Sequence, residues 1–169
     1  MNPDVELSIV WVYTWYDPAK EGDAAKAMMD NGCDVVAQHT DSPAPLIEAE
    51  RAGKVGFGQA SDQLKFAPKA QLTATIDNWG PYYIDKVGQV LDGTWETGDY
   101  FGHMNTGAVQ MAPFTNMPAN VALEAQIVKD AISAGTLHGF TGPIKKQDGS
   151  VFLEVGEVAT RMQPVSYTH

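Results

Sequence analysis

The stretch CDVVAQHTDSPAPLIEAERAGKVGFGQ, residues 33–59, has the pattern of one strand–helix–strand unit. Its two ends, residues 33–38 and 54–59, are short apolar runs with valine and phenylalanine, which is typical of buried strands. Residues 46–53 between them form helices readily and stop at a glycine. Consecutive strands joined through a helix lie parallel in one sheet, so this unit predicts a parallel α/β arrangement.

The same alternation extends to both sides of this unit. Residues 5–14, VELSIVWVYT, predict a buried strand, and Asp17 followed by Pro18 predicts the start of a helix. Residues 70–76, AQLTATI, predict a further strand, and residues 79–93 predict a helix with Trp79, Tyr83, Val87 and Leu91 on one face. The predicted fold class is therefore α/β, a Rossmann-like parallel sheet with flanking helices.

The pattern is looser beyond residue 93. Residues 108–114, AVQMAPF, predict a strand, and residues 117–135, MPANVALEAQIVKDAISAG, predict a helix that stops at a glycine. Residues 142–158 predict a β-hairpin closed by Asp148 and Gly149. No repeat or low-complexity linker interrupts the chain, so we expect one α/β unit with a trailing segment.

Composition limits the classes of partner. The 169 residues include 21 acidic and 11 basic side chains, for a net charge of −10. This charge repels phosphate backbones and anionic membrane surfaces, so nucleic acid is an unfavourable partner. One cysteine excludes an intrachain disulfide, and no apolar run approaches the length of a membrane span. The first residues lack the basic and apolar regions of a signal peptide.

Polar side chains follow four consecutive predicted strands. We call these segments the strand exits: residues 14–17 (TWYD), 38–42 (QHTDS), 58–62 (GQASD) and 76–80 (IDNWG). Ligands of doubly wound sheets bind outside the carboxyl ends of the strands. A simpler explanation exists for some single residues, because Asp17 and Ser42 suit helix caps. The four exits together nevertheless predict a pocket.

The exits carry groups that suit a flat heteroaromatic ligand. Trp15 and Tyr16 are neighbours and point to opposite faces of a strand, so one of them is free to stack on such a ring. Carboxylates and carboxamides recognise the paired donors and acceptors on the edge of a purine. Among those at the exits, Asp41, Gln59, Asp62, Asp77 and Asn78 supply such acceptors and amide donors.

The sequence shows little sign of the motifs that are typical of enzyme active sites. The histidines at positions 39, 103, 138 and 169 have no metal-ligand spacing, and no phosphate-binding loop follows the first strand. Asp41 and Asp62, with His39, could do acid–base chemistry, but a solvated rim is the simpler interpretation. We therefore expect a binding protein with no catalytic residues, no metal and no cofactor.

Four stretches of the sequence resemble the second half of the basic membrane protein (BMP) family. They are TWYDPAKEGDAAKAMMDNGCDVVAQHTDSPAP (14–45), FGQASD (57–62), LTATIDNWGPYYIDKVGQVLDGTW (72–95) and TGPIKKQDG (141–149). Members are substrate-binding proteins of ABC importers that carry purine nucleosides or bases. The resemblance implies one lobe of a type I periplasmic-binding-protein fold over residues 1–155, followed by an atypical tail, residues 156–169. It also implies an ABC permease as partner and a periplasmic or membrane-anchored location.

The resemblance also implies roles for single residues. An aromatic side chain after the first strand of this lobe stacks on the purine, which matches Trp15 or Tyr16, and the next exit approaches the ligand with Thr40 and Asp41. Nucleoside receptors of the family carry Gly-x-Asp-x-Asp-Gln, of which this chain keeps Asp62 but has Ala60 at the first acidic position. They also tend to carry a lysine where this chain has Asp77. Both departures favour a free base, such as adenine, over a nucleoside.

The family's first lobe and its leader have no counterpart in this sequence, which leads to two further expectations. The helix over residues 79–91 would be exposed, and a homodimer through the face left by the missing lobe would cover it. A monomer with a repacked helix is the competing outcome. Two other functions stay open: an interaction or structural module that keeps the fold without binding, and a small nucleoside hydrolase.

Overall fold

The structure is a computed structural model that describes residues 4–160. It contains, in order, α1 (Pro18–Asp30), β1 (Val35–Ala37), α2 (Ala44–Arg51), β2 (Val55–Gly58), β3 (Gln71–Asp77), α3 (Gly80–Leu91), a short 3-10 helix (Met104–Thr106), β4 (Val109–Met111), α4 (Ala119–Ser133), β5 (Ile144–Lys145) and β6 (Val151–Leu153). The chain divides into two compact units between Gln126 and Ile127, so that α4 begins in the first unit and ends in the second.

The first unit contains a four-stranded sheet in the order β1-β2-β3-β4. β1 and β2 are parallel, with Val35 opposite Val55, and β2 and β3 are parallel, with Phe57 opposite Thr73. The α2 helix joins β1 to β2, as the sequence predicts. β4 departs from the parallel pattern, because it runs antiparallel to β3. The expected α/β class with a mainly parallel sheet is confirmed.

The hydrophobic core of the first unit is small and rich in alanine. Its main cluster takes side chains from α1, β1, α2 and the loop before β3: Ala25, Met29, Val36, Leu46, Ala49, Ala67 and Ala70. Gly22 is buried where α1 passes α2, and a side-chain carbon at that position would lie 3.6 Å from Ala44 Cβ. Small side chains thus let α1 pack closely on α2 and position both helix N-termini at the strand exits.

The prediction of a buried strand over residues 5–14 is wrong. These residues pair with no strand among residues 4–160, and Val5, Leu7 and Tyr13 are 70%, 83% and 89% exposed. Tyr13 has φ of +52°, in the left-handed region, which interrupts any extended run. β1 pairs directly with β2, so this sheet offers no interior position for the segment. Apolar composition alone does not supply the partner that a strand needs.

The α3 helix has its apolar face in solvent. Trp79, Tyr83, Val87 and Leu91 are 48%, 60%, 59% and 81% exposed, and no residue of α3 is buried. The helix and its shared face are as predicted, and so is their exposure. Within residues 4–160, none of the helices has the length and apolar character needed to cross a membrane.

The second unit contains the predicted hairpin. β5 and β6 are antiparallel, with Ile144 opposite Leu153, whose side chain is fully buried. Asp148 Oδ1 accepts hydrogen bonds from the Ser150 N–H at 2.9 Å and from Ser150 Oγ at 2.6 Å, and Gly149 takes the positive φ of +83° that the turn requires. The expected domain limit after residue 155 stays a prediction, and residues 161–169 of the tail lie outside the described residues.

Candidate ligand-binding edge of the sheet

The four strand exits form one continuous edge, which we call the exit edge. Two hydrogen bonds join exits directly: Asp41 N–H to the Trp15 carbonyl oxygen at 2.9 Å and Asp77 N–H to the Ala60 carbonyl oxygen at 3.0 Å. Gln38 Nε2 also donates to Gln63 Oε1 at 2.8 Å, one residue beyond the third exit. Residues 14–17 belong to this edge although no strand precedes them. The sequence prediction that these segments meet therefore agrees with their placement.

A buried glutamine that the sequence analysis missed holds Asp62. Gln71 is only 1% exposed, and its Nε2 donates to Asp62 Oδ1 at 2.8 Å while its Oε1 accepts from the Gln63 N–H at 2.9 Å. The Leu64 N–H also donates to Asp62 Oδ1, at 3.0 Å. The carboxylate is thus fixed through one oxygen. In the sequence, the signal for this role was that Gln71 is a polar residue within the apolar run of residues 70–76.

Gln59 is oriented by a neighbour on β3. Its Oε1 accepts a hydrogen bond from Thr75 Oγ1 at 3.3 Å. Within residues 4–160 its Nε2 has no bonding partner, so Gln59 presents a donor to the exit edge. Asp62 presents an acceptor from the same exit. Together they could hydrogen-bond one edge of a ligand, with Gln59 donating to an acceptor and Asp62 accepting from a donor.

The two predicted aromatic side chains are open to solvent. Trp15 is 74% exposed and Tyr16 is 65% exposed. Neither ring contacts another aromatic ring in the part of the chain that the structure describes. A large flat side chain that stays exposed at this edge is available for stacking on a ligand.

Thr40 is the predicted residue whose polar atom is least accessible. Its Oγ1 is buried and makes no hydrogen bond of standard geometry in residues 4–160, but it lies near Glu21 and helps to lower the pKa of that carboxylate; Gln38 Oε1 is likewise buried without a partner. Asp41, in contrast, is exposed. The second exit thus presents the Asp41 side chain to solvent, while the Thr40 hydroxyl points into the protein.

A concave pocket of about 200 Å³ lies at the end of β3. We call it the β3-exit pocket, and its main side chains are those of Asp77, Asn78, Trp79, Tyr100 and Phe101. Asn78 is held on both sides, because its N–H donates to the Ala108 carbonyl oxygen at 2.8 Å and its Nδ2 to the Gly107 carbonyl oxygen at 3.0 Å. Of the carboxylates and carboxamides predicted at the exits, Asp77 and Asn78 line this pocket.

The Trp79 ring belongs to an aromatic cluster beside this pocket. Its centroid lies 5.7 Å from Tyr82, 6.1 Å from Tyr83 and 6.2 Å from Tyr100. Tyr82 and Tyr100 are closer still, at 4.4 Å. These contacts fix the rings around the pocket, which the sequence could not indicate because Tyr100 is remote from Trp79 along the chain.

A buried carboxylate joins the first exit to the second. Glu21 is 2% exposed, and it accepts hydrogen bonds from the Asp17 N–H at 2.6 Å, the Ser42 N–H at 3.2 Å and the Ser42 hydroxyl. Burial by itself raises the pKa of Glu21, but the bonds from Ser42 and Asp17 outweigh it and hold the pKa below its usual value. Asp17 also caps α1 by accepting from the Lys20 N–H, so Asp17 and Ser42 have the simpler, structural roles.

Stability should fall in acid because of Glu21. Its pKa is lower in the folded chain than in the unfolded chain, so its stabilisation is complete above the unfolded pKa and disappears as the pH falls through the folded pKa. We expect urea unfolding between about pH 6 and about pH 3 to show a steeper loss of stability for the wild type than for Glu21→Gln. Parallel slopes for the two proteins would contradict this role.

In residues 4–160 no three histidine, cysteine, aspartate or glutamate side chains are close enough together to hold a metal ion. The side chains of the exit edge that could contact a ligand carry carboxylates, carboxamides and aromatic rings. Such groups can stack on a planar ring and hydrogen-bond its edge.

Comparison with known proteins yields close sequence relatives. A purine-binding protein of Brucella abortus (strain 2308) is 54% identical over 159 residues, which cover 94% of this chain and 45% of the relative. A Haloferax volcanii protein, provisionally named an ABC transporter glucose-binding protein, is 31% identical over 163 residues, which cover 91% of this chain and 42% of the relative. The chain thus spans less than half the length of these relatives.

A solved structure supports the fold. The ABC transporter solute-binding protein of Conexibacter woesei matches with a TM-score of 0.60 at 17% identity, over 81% of this chain and 47% of that one. Residues 1–139 also match the Bmp family model, described as ABC transporter substrate-binding protein PnrA-like. The chain belongs to the Bmp family of PnrA-like ABC transporter substrate-binding proteins.

Proposed function

We propose that this chain is the ligand-binding lobe of an ABC importer's substrate-binding protein and takes a purine, with a free base such as adenine preferred over a nucleoside. The observation that carries the proposal is the exit edge itself, where exposed aromatic rings stand beside fixed carboxylates and carboxamides. The Brucella abortus relative, named a purine-binding protein, supports the same ligand class.

The proposed contacts divide into stacking and edge recognition. Trp15 or Tyr16 stacks on the base, since both rings are exposed. The other proposed ligand-binding residues are Thr40, Asp41, Gln59, Asp62 and Asn78. Purines offer adjacent donors and acceptors, which match the Gln59 donor and the Asp62 acceptor.

The preference for a free base rests on two positions. Ala60 occupies the first acidic position of the family's turn, where no carboxylate can bind a ribose hydroxyl. Asp77 occupies the position where nucleoside receptors tend to carry a lysine, and its carboxylate is exposed. Both changes remove interactions with the sugar and leave interactions with the base.

The mechanism is binding without chemistry. In a receptor with both lobes, the lobes close around the ligand by a hinge motion and an ABC permease accepts the closed form outside the cytoplasm. One lobe contributes part of such a cleft, so we expect weak binding by this chain alone. Pairing of two copies through the exposed face of α3 would cover Tyr83, Val87 and Leu91 and restore a second wall.

Removal of the stacking ring tests the proposal. Trp15→Ala should raise the dissociation constant for adenine about tenfold or more, because stacking a base on an aromatic side chain contributes about 1–3 kcal/mol. The matched control is Trp11→Ala, which removes a tryptophan that is 61% exposed but lies outside the strand exits. Calorimetric titration with adenine, guanine, adenosine and guanosine measures both variants, and light scattering in the same buffer gives the mass.

Each competing function predicts a different result. Absence of binding by any purine would leave an interaction or structural module with this fold. Release of free base from adenosine or inosine, followed by chromatography, would indicate a nucleoside hydrolase. Equal weakening by Trp15→Ala and Trp11→Ala would show that Trp15 has no special role.

A further inference from the structure

The β3-exit pocket provides features that the proposed contacts do not use. Its aromatic walls come from Trp79, which is 48% exposed, and from Tyr100, which is 43% exposed. Both rings are held in the aromatic cluster, so neither has to be ordered when a ligand arrives. The pocket therefore combines a fixed apolar lining with open access from solvent.

Asp77 and Asn78 supply acceptor oxygens to the pocket, while Tyr100 carries a hydroxyl and Trp79 an indole N–H. The Asn78 Nδ2 donates to the Gly107 carbonyl oxygen at 3.0 Å, and its Oδ1 can accept from a ligand. The Asp77 carboxylate is exposed and has no hydrogen bond or ion pair with any of residues 4–160. No lysine or arginine lines the pocket to neutralise it.

Asp77 is also fixed in position by its backbone. Its N–H donates to the Ala60 carbonyl oxygen at 3.0 Å, and the residue lies opposite Val109 in the β3–β4 pairing. A carboxylate with a fixed origin and no protein partner can form a charge-assisted hydrogen bond with an N–H of a ligand. Such bonds are stronger than neutral ones.

We propose that the β3-exit pocket seats the ring of a free purine base, with Trp79 and Tyr100 as its apolar walls and Asp77 accepting the ring N–H. A free base carries a ring N–H at N9, whereas a nucleoside bears its sugar on that nitrogen and has no proton there. This proposal rests on the proposed function and deepens it, because it gives the preference for a base over a nucleoside a physical cause. This seat differs from a stack on Trp15 or Tyr16, which do not line the pocket, and comparison of Trp79→Ala with Trp15→Ala distinguishes the two placements of the base.

The probe that isolates this contact is 9-methyladenine, which has no N9 proton but keeps every other edge of adenine. The wild-type chain should bind adenine about tenfold more tightly than 9-methyladenine, the effect of one charge-assisted hydrogen bond. Asp77→Ala should abolish this preference by weakening adenine alone, and Asp77→Asn, which keeps a neutral acceptor oxygen, should reduce it. Asp92→Asn is the matched control, because Asp92 is also exposed and stands outside the pocket, at the end of α3.

A substitution of Trp79 tests the aromatic wall of the pocket. Trp79→Ala should weaken adenine and 9-methyladenine alike, about tenfold, because both rings lose the same aromatic surface. Trp95→Ala, which removes a tryptophan that is 52% exposed and is not part of the pocket lining, should change neither affinity. Trp79→Phe keeps a ring and should lie between the two, which separates loss of stacking from loss of folding.

The outcomes distinguish this inference from the proposed function. Adenine binding that keeps its preference over 9-methyladenine in Asp77→Ala, or its full affinity in Trp79→Ala, would overturn the pocket assignment while the purine function stands. A wild-type chain that binds no purine would overturn both.

Discussion

Replacement of Glu21 by alanine is expected to lower the free energy of unfolding by about 3 kcal/mol, because it leaves buried donors without an acceptor. The Asp17 N–H, the Ser42 N–H and the Ser42 hydroxyl all donate to this carboxylate. Each donor left unsatisfied inside a protein costs about 1–3 kcal/mol, and part of that cost is relieved by water that enters. Urea unfolding followed by circular dichroism measures the change.

Two further variants are compared with Glu21→Ala: a matched control and a milder substitution at the same position. Glu124→Ala removes an exposed carboxylate from α4 and should change stability by no more than about 0.5 kcal/mol. Glu21→Gln keeps an acceptor oxygen but sets an amide donor against the same donors, so its loss should be intermediate. A Glu21→Ala protein as stable as Glu124→Ala would show that the carboxylate does not hold the first two exits together. Loss of adenine binding in a still-folded Glu21→Ala chain would agree with that role.

Gly56→Val is expected to destabilise the sheet by about 3 kcal/mol, because the site has no room for a side chain. A side-chain carbon at Gly56 would lie 2.6 Å from the Val36 carbonyl oxygen and 3.0 Å from Leu46 Cδ2. The first of these neighbours is backbone, so relief requires β1 and β2 to separate. Thermal unfolding and urea unfolding both report the loss.

Replacement of a glycine that has open space around it should raise the stability of the chain instead of lowering it. A carbon added at Gly88, within α3, would meet nothing within 4 Å, so Gly88→Ala should stabilise the chain by about 0.5–1 kcal/mol through its better helix propensity. A Gly56→Val protein that unfolds at the same urea concentration as the wild type would contradict the close packing of β1 on β2.

Local signals made several elements predictable from the sequence. Asp17 before Pro18 marks the start of α1 because the cap and the first helical residue are encoded by adjacent positions. The hairpin is equally local, since Asp148 and Gly149 specify the turn. The strand–helix–strand pattern of residues 33–59 is confirmed for the same reason. Adjacency of the strand exits then follows from parallel strands.

Features that depend on distant residues escaped prediction. Burial of residues 5–14 in a sheet requires a partner strand, and this segment pairs with none among residues 4–160, so an apolar run gave the wrong answer. The antiparallel direction of β4 follows from the path of a long connection rather than from its own residues. Gln71 reaches Asp62 only after folding, and Tyr100 meets Trp79 in the same way. Aspects of the site that rest on tertiary contacts therefore needed the structure.

The most direct test of the account is a two-dimensional NMR titration of the isotope-labelled chain with adenine. If the exit edge binds a free base, amide signals of residues 14–17, 38–42, 58–62 and 76–80 should shift together in a saturable manner, with little change in the hairpin of β5 and β6. Adenosine at the same concentrations should produce smaller shifts. The absence of saturable shifts at the exit edge, or shifts confined to other residues, would contradict the account.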